Sequence, residues 1–64
     1  NCVVPGGILF NQNKKFVKNY SKLTPMKRMM KPAELNELVD YLCSTKSNYV
    51  TGSSFTIDGG YTIW

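Results

Sequence analysis

The sequence contains no histidine, and this absence excludes several kinds of site at once. Catalysis by Ser-His-Asp or Cys-His groups needs an imidazole base, and His-ligated metal sites are excluded with it. The chain has only two cysteines, Cys2 and Cys43, which form no Cys-x-x-Cys pair. We therefore expect no metal site, and we expect both thiols to be small buried hydrophobes in a reducing compartment.

Long apolar segments are also missing. No run approaches the roughly 20 apolar residues that cross a bilayer, and no signal peptide is recognisable. We therefore expect a cytoplasmic protein without a membrane partner. The chain has 64 residues, which is one domain at most. A chain of this size buries only ~60% of the surface that it exposes when unfolded, so its stability margin is thin.

Acidic residues are absent from the first half of the chain. Residues 1–32 hold seven lysines and arginines and no acid, whereas residues 33–64 hold Lys46 against four acids. A positive half favours an anionic partner, such as nucleic acid, a membrane surface or a phosphate-bearing ligand. The ordinary alternative is a lysine-rich helix face that lies in solvent.

The spacing of apolar residues predicts two helices. Phe16, Tyr20 and Leu23 form one stripe of a helix over about residues 12–23, which Thr24 and Pro25 should end. Pro32 suits the first position of a second helix that ends in the polar residues 44–48. The residues of this second helix that should face a core are Leu35, Leu38, Val39 and Leu42.

Strand signals lie near the two ends of the sequence. Residues 1–4 have the pattern of a strand end, which Pro5 and two glycines stop. Residues 53–57 alternate, with Phe55 and Ile57 on one face of a final strand. We find no second complete strand to pair with this last one, whose backbone groups would then lack partners. The pattern therefore predicts part of a larger sheet.

Three phrases, in this order, resemble the carboxyl-terminal quarter of the short-chain dehydrogenase/reductase family. Residues 1–8, NCVVPGGI, are similar to the strand and Pro-Gly loop beside the nicotinamide. Residues 24–35, TPMKRMMKPAEL, are similar to the turn into the penultimate helix. Residues 49–60, YVTGSSFTIDGG, are similar to the last strand and its Asp-Gly-Gly ending.

The resemblance implies an α/β fold, a doubly wound parallel Rossmann-like sheet, of which this chain would supply a strand end, two helices and the final strand. Residues 1–9 would be the strand end and Pro-Gly loop, residues 10–30 the substrate lid, and residues 31–64 the penultimate helix, last strand and tail. Within the family, Gly6-Gly7-Ile8 with Asn11-Gln12, together with the ending of the chain, are most similar to a bacterial branch that acts on surface sugars, including flagellin modification. The residues of that ending are Gly60, Tyr61, Thr62 and Trp64.

The family's activity is hydride transfer between NAD or NADP and a carbonyl or alcohol, here a small molecule such as a sugar or nucleotide-linked sugar. The resemblance implies that Pro5 and Gly6 let the backbone approach the nicotinamide and that the main chain of Ile8 meets its carboxamide. Many family members have a threonine that helps to hold the cofactor where this chain has Phe10.

Further sites follow from the same resemblance. The lid residues that could face a substrate are Phe10, Gln12, Phe16 and Tyr20. The residues that could build dimers into tetramers are Leu38, Tyr41, Leu42, Phe55 and Ile57. For Phe16 and Tyr20, packing on a core is the ordinary alternative.

The catalytic groups of the family are missing from these 64 residues. No tyrosine is followed four residues later by a lysine, and the glycine-rich turn that places a pyrophosphate at a helix N-terminus is absent. We therefore expect the chain to be an inactive part of an enzyme when alone. Two alternatives are a small basic nucleic-acid-binding module and a non-catalytic oligomerisation piece, although no nucleic-acid motif is present.

Overall fold

A computed structural model of the chain describes residues 1–63, so Trp64 of the predicted ending lies outside the described residues. The strands are β1, Cys2–Pro5, and β2, Ser54–Ile57, and the helices are α1, Lys14–Ser21, and α2, Pro32–Cys43. Single 3-10 turns follow α2 at Thr45–Ser47 and β2 at Tyr61–Ile63. Both predicted helices and the predicted last strand are therefore present.

The two strands pair with each other in parallel, which corrects the expectation that the last strand has no partner. Cys2 lies opposite Ser54, and Pro5 lies opposite Ile57. The short run before the glycines is thus a complete strand of four residues. The pairing joins residues more than fifty positions apart, so no local sequence pattern predicts it. The chain between the strands carries both helices, as parallel connections require.

Pro5 is compatible with this sheet because of where its nitrogen points. The N–H groups of Cys2 and Gly6 donate to the carbonyls of Ser53 and Ile57, at 2.9 Å each. In a parallel ladder, alternate residues face the partner strand, so the nitrogen of Pro5 faces away from β2. The missing N–H of proline therefore removes no bond between the two strands.

Helix α1 is shorter than the periodicity predicts. The Asn13 side chain accepts the N–H of Phe16 at 2.8 Å and caps the first turn, so the helix begins at Lys14. It ends at Ser21, and Leu23 of the predicted stripe lies beyond it and is exposed, as is Phe16. The turn that Pro25 imposes removes Leu23 from the helical spacing.

Helix α2 begins at Pro32, as predicted, and ends at Cys43. A carboxylate oxygen of Glu34 accepts the N–H of Lys31 at 2.9 Å, which satisfies one of the free N–H groups before the helix. Leu35, Leu38 and Leu42 are half-buried, whereas Val39 is exposed, so the prediction that Val39 faces a core is wrong for residues 1–63.

Few side chains are buried within residues 1–63. The buried hydrophobic ones are Met29 and Met30, which lie in the segment before α2. Cys2 and Cys43 are both exposed, so the prediction of buried thiols is wrong here: one begins β1 and the other ends α2, and no described element covers either. Several large apolar side chains are likewise open to solvent, with Phe10 at 76% and Ile63 at 86% exposure.

The dimensions agree with this thin core. The radius of gyration is 13.4 Å, and the chain extends over 41 × 24 × 14 Å. A compact domain of this length would have a radius of about 11 Å. The described residues therefore form a flat layer, with apolar side chains that find no cover inside it.

Candidate functional site

The loop after β1 lies against the end of β2. Through the bond from Gly6 to Ile57, the ladder continues one residue past the strand. A Cβ on Gly6 would lie 2.7 Å from the Cβ of Asp58 and 2.8 Å from its Cα, which real side chains do not tolerate. Glycine is therefore required at this position by packing within the chain, whatever else approaches the loop.

A one-residue parallel bridge joins Ile8 to Met30 and orients the Ile8 backbone. The N–H of Leu9 donates to the Met30 carbonyl at 2.7 Å, and the N–H of Met30 donates to the Gly7 carbonyl at 2.9 Å. In this pattern the N–H and C=O of Ile8 itself point away from Met30. The Ile8 N–H has no hydrogen-bond partner among residues 1–63. The predicted cofactor loop thus presents one open backbone donor.

Gln12 closes the other side of this loop. Its Nε2 donates to the Ile8 carbonyl at 2.9 Å, and its Oε1 accepts the N–H of Phe10 at 2.7 Å. Both ends of the amide are therefore used within the chain, which leaves the Ile8 N–H as the open group. Most of the surface of Phe10 is exposed.

Tyr20 contacts the same loop from α1. Its hydroxyl oxygen accepts the N–H of Gly7 at 2.7 Å, across 13 residues of sequence. Its ring stacks on Phe16 at 6.1 Å and on Tyr61 at 5.5 Å between centroids. Of the predicted lid residues, the structure therefore brings Gln12 and Tyr20 to the loop, and Phe16 to Tyr20. Their contact with a substrate stays a prediction.

A small cavity lies beside this loop. Its volume is about 80 Å³, and its walls include Gly7, Tyr20, Met30, Arg28 and Asp58. Pockets for small molecules and cofactors are usually about 300–1,000 Å³. This cavity is therefore too small to hold such a molecule by itself.

Arg28 and Glu34 fix the turn that carries Met30. The guanidinium donates to the two carboxylate oxygens at 2.7 and 2.8 Å, which is a bidentate pair. This hydrogen bond from Arg28, together with the N–H of Lys31, lowers the pKa of Glu34 to about 2. Arg28 is thus a structural ion-pairing residue of this turn.

Asp58 organises the residues after β2. The hydroxyl of Thr62 donates to its carboxylate at 2.8 Å, and the N–H groups of Gly60 and Thr62 donate at 2.9 and 3.1 Å. These bonds, the Thr62 hydroxyl first, hold the pKa of Asp58 below its usual range. The backbone also needs its glycines, with φ of +64° at Gly59 and +91° at Gly60. The hydrogen bonds of the carboxylate and the backbone geometry of the two glycines thus both shape this turn.

The predicted interface residues divide between two elements. Phe55 and Ile57 lie half-buried on one face of β2, as the alternation predicts. On α2, Leu38 and Leu42 are half-buried and Tyr41 is exposed. Whether they contact another subunit stays a prediction.

Half of the lysines of the positive half lie on α1. Lys14, Lys15 and Lys18 are exposed on this helix. The Tyr20 ring, which a nucleic-acid module would need for stacking on a base, already stacks on two rings of its own chain. The arrangement therefore leaves the nucleic-acid alternative its charge and the exposed ring of Phe10, but not the Tyr20 ring.

The residue that the sequence reasoning missed is Met30. It bridges Ile8, lines the cavity and is nearly fully buried. An apolar pair before the helix-starting Pro32 was a usable signal, since such a pair outside any periodic segment often marks a buried connection. No helix within residues 1–63 combines the length and hydrophobicity needed to cross a bilayer.

Comparison with known proteins identifies a matching family and several relatives of this chain. Residues 1–62 match the family described as enoyl-(acyl carrier protein) reductase. A short-chain dehydrogenase of Leptospira borgpetersenii, solved with bound NAD+, is 48% identical with a TM-score of 0.85, over 95% of this chain and 24% of that protein. A tropinone reductase homolog of Arabidopsis thaliana is 36% identical, over 98% of this chain and 26% of its own length.

A third relative is the galactitol 2-dehydrogenase (L-tagatose-forming) of Cereibacter sphaeroides, which is 30% identical over all of this chain and 28% of its own length. The chain thus spans about a quarter of the length of the proteins that it matches. The likeness to the Leptospira structure confirms the predicted fold class, part of a Rossmann-like α/β sheet. On the match over residues 1–62 and these likenesses, the chain belongs to the short-chain dehydrogenase/reductase family.

Proposed function

We propose that this chain is part of an oxidoreductase that transfers hydride between NAD or NADP and a carbonyl or alcohol. Its residues form one wall of the nicotinamide pocket, and the proton donor and phosphate-binding turn lie in other parts of the enzyme. The cofactor supplies the hydride chemistry when bound. The protein residues described here bind and orient it.

The observation that carries this proposal is the open N–H of Ile8. Three contacts hold the loop around it: the bridge to Met30, the amide of Gln12 and the hydroxyl of Tyr20. A fixed donor without a partner among residues 1–63 suits a carboxamide oxygen. The NAD+ bound to the Leptospira relative supports a nicotinamide cofactor.

The three segments have separate roles in this proposal. Residues 1–9 contact the cofactor, residues 10–30 cover the substrate, and residues 31–64 carry the interface that builds a homo-oligomer. The half-buried Leu38 and Leu42 and the exposed Tyr41 support the last role, because they leave apolar area open on α2.

For the substrate we propose a sugar or nucleotide-linked sugar. The exposed lysines of α1, in the predicted lid, support an anionic group on the substrate. The action of one relative on galactitol supports a polyhydroxylated compound.

Steady-state kinetics test the function. The full-length protein is mixed with NADH or NADPH and a panel of simple ketones, ketoses and nucleotide-linked keto sugars, and loss of the reduced cofactor is followed by absorbance. We expect turnover with at least one carbonyl compound and a lower KM for sugars. An absence of cofactor oxidation across the panel, and of reduction with the matching alcohols, contradicts the proposal.

A further inference from the structure

Tyr20 joins the predicted lid to the cofactor loop through a single short hydrogen bond. Its hydroxyl oxygen accepts the N–H of Gly7 at 2.7 Å, in a half-buried position. The carbonyl of the same glycine accepts the N–H of Met30 at 2.9 Å. Both peptide groups of Gly7 are therefore anchored, one by α1 and one by the segment before α2.

These anchors matter because glycine restricts its own backbone so little. The Gly7 carbonyl and the Ile8 N–H belong to one trans peptide plane, so they point in opposite directions. The bond with Tyr20 holds the plane before Gly7 and the bond with Met30 holds the plane after it, so together they restrict rotation about the Gly7 backbone and thereby the direction of the Ile8 N–H. Without the bond from Tyr20, the first of these planes is held by no other contact at the Gly7 N–H among residues 1–63.

The position of the Tyr20 ring is itself well determined. It stacks on Phe16 with 21° between the planes and on Tyr61 with 15°. A Cβ on Gly7 would lie 2.5 Å from the Cζ of Tyr20 and 2.8 Å from its hydroxyl oxygen. The ring therefore fills the space beside Gly7, and glycine at position 7 and tyrosine at position 20 depend on each other.

We propose that Tyr20 is a positioning residue for the cofactor: it holds the Gly7 peptide so that the Ile8 N–H is directed at the nicotinamide carboxamide. This inference rests on the proposed function. It assigns Tyr20 a different role from the substrate contact that the sequence predicts, since its hydroxyl oxygen is already engaged with the loop. It also couples the lid helix to cofactor binding through one hydroxyl group.

The test uses the full-length protein and the variant Tyr20→Phe, which keeps the stacked ring and removes the acceptor. Binding of NADH and of NADPH is measured by fluorescence titration. The kcat and the KM for the cofactor are measured in the presence of an active carbonyl substrate. Tyr49→Phe is the matched control, because it removes a hydroxyl from a fully exposed tyrosine. Amide hydrogen exchange at Gly7 and Ile8 reports the loop directly.

We expect Tyr20→Phe to raise the cofactor Kd and KM about tenfold, while kcat at saturating cofactor stays within about twofold. Exchange at Gly7 should quicken, and NADH should protect the Ile8 amide less than in the wild type. A loss of folded protein alone would lower kcat and leave KM unchanged. A raised KM with a nearly unchanged kcat therefore identifies positioning.

Three results overturn the inference, and they can be told apart. If the wild type binds NADH and Tyr20→Phe binds it equally well, Tyr20 does not position the loop and the proposed function stands. If the wild type binds neither nicotinamide cofactor, the proposed function and this inference fail together. An equal loss in Tyr49→Phe would show that the effect is not specific to the Gly7 contact.

Discussion

Arg28 holds Glu34 through two parallel hydrogen bonds, of 2.7 and 2.8 Å, across the turn that leads into α2. The same carboxylate accepts the N–H of Lys31 at the helix start. One acidic side chain thus ties the turn and the helix together. Because Met30 lies between these anchors and bridges Ile8, the ion pair supports the cofactor loop indirectly.

This pair predicts a specific dependence of stability on pH. The pKa of Glu34 is lowered from 4.5 to about 2, so its contribution to stability is present above pH 4.5 and is lost as the pH falls toward 2. The free energy of unfolding of the full-length protein should therefore exceed that of Glu34→Gln at neutral pH. The difference should shrink between pH 4.5 and 2, which urea denaturation at a series of pH values measures.

Glu37→Gln is the control for this experiment. Glu37 lies exposed on the same helix and has no ion-pair partner among residues 1–63. Its substitution should change stability by less than about 0.5 kcal/mol, at neutral and acidic pH alike. If Glu34→Gln behaves like Glu37→Gln at every pH, the ion pair contributes nothing.

Gly6 should tolerate no side chain. In Gly6→Ala the new Cβ would meet the Cα of Asp58 at 2.8 Å, and backbone cannot move aside as a flexible side chain can. We expect a loss of about 1–3 kcal/mol in the free energy of unfolding, together with weaker cofactor binding. Thermal and urea denaturation measure the first, and NADH titration measures the second.

Gly52→Asn provides the comparison for Gly6→Ala. Gly52 has φ of +65°, which asparagine accepts more readily than most residues, and nothing lies within 4 Å of its Cβ position. We expect a change of well under about 1 kcal/mol and unaltered cofactor binding. If Gly52→Asn lowers the free energy of unfolding as much as Gly6→Ala does, the loss in Gly6→Ala cannot be assigned to the contact with Asp58.

Phe10 stands where the family resemblance leads us to expect a threonine, and it offers no hydroxyl to a cofactor. Its side chain is mostly exposed, so a substitution disturbs little packing. We expect Phe10→Thr to lower the Kd for NADH or NADPH by roughly fivefold, the effect of one added hydrogen bond. Phe10→Val has the same shape as the threonine without the hydroxyl, and it should bind like the wild type. Equal gains in both variants would show that ring removal, not the hydroxyl, is responsible.

The chain of 64 residues should fold poorly when it is alone. Its buried apolar side chains within residues 1–63 are Met29 and Met30, and its two-stranded sheet leaves its apolar faces uncovered. Isolated pairs of strands and helices of this length are marginal in water. We expect weak helicity, no sharp thermal transition by circular dichroism, and self-association at higher concentration. A cooperative melt of the monomer would contradict this expectation.

The local features of the fold could be predicted from the sequence because local chemistry determines them. Pro32 and Glu34 mark the start of α2, and the alternation of Phe55 and Ile57 marks the face of β2. The pairing of β1 with β2 could not be predicted in the same way. It depends on contacts between distant residues, and a four-residue strand that ends in Pro5 carries little pattern of its own.

In the candidate site, too, local features could be predicted from the sequence and contacts between distant residues could not. Family resemblance singled out Ile8 and Tyr20 separately, from phrases and spacing. Their connection through Gly7 is a three-dimensional contact, and the sequence alone predicted instead that Tyr20 faces a substrate or a core. The exposure of Cys2 and Cys43 also had no local signal, since it reflects which elements are present to cover them.

The most direct test of the central claim is calorimetric titration of NADH and NADPH into two samples, the full-length protein and the 64-residue chain. The claim is that these residues form one wall of a nicotinamide site and that the rest of the protein completes it. We predict saturable binding of one cofactor per full-length chain and no detectable binding by the 64 residues alone. Micromolar binding by the 64-residue chain, or none by the full-length protein, would contradict it.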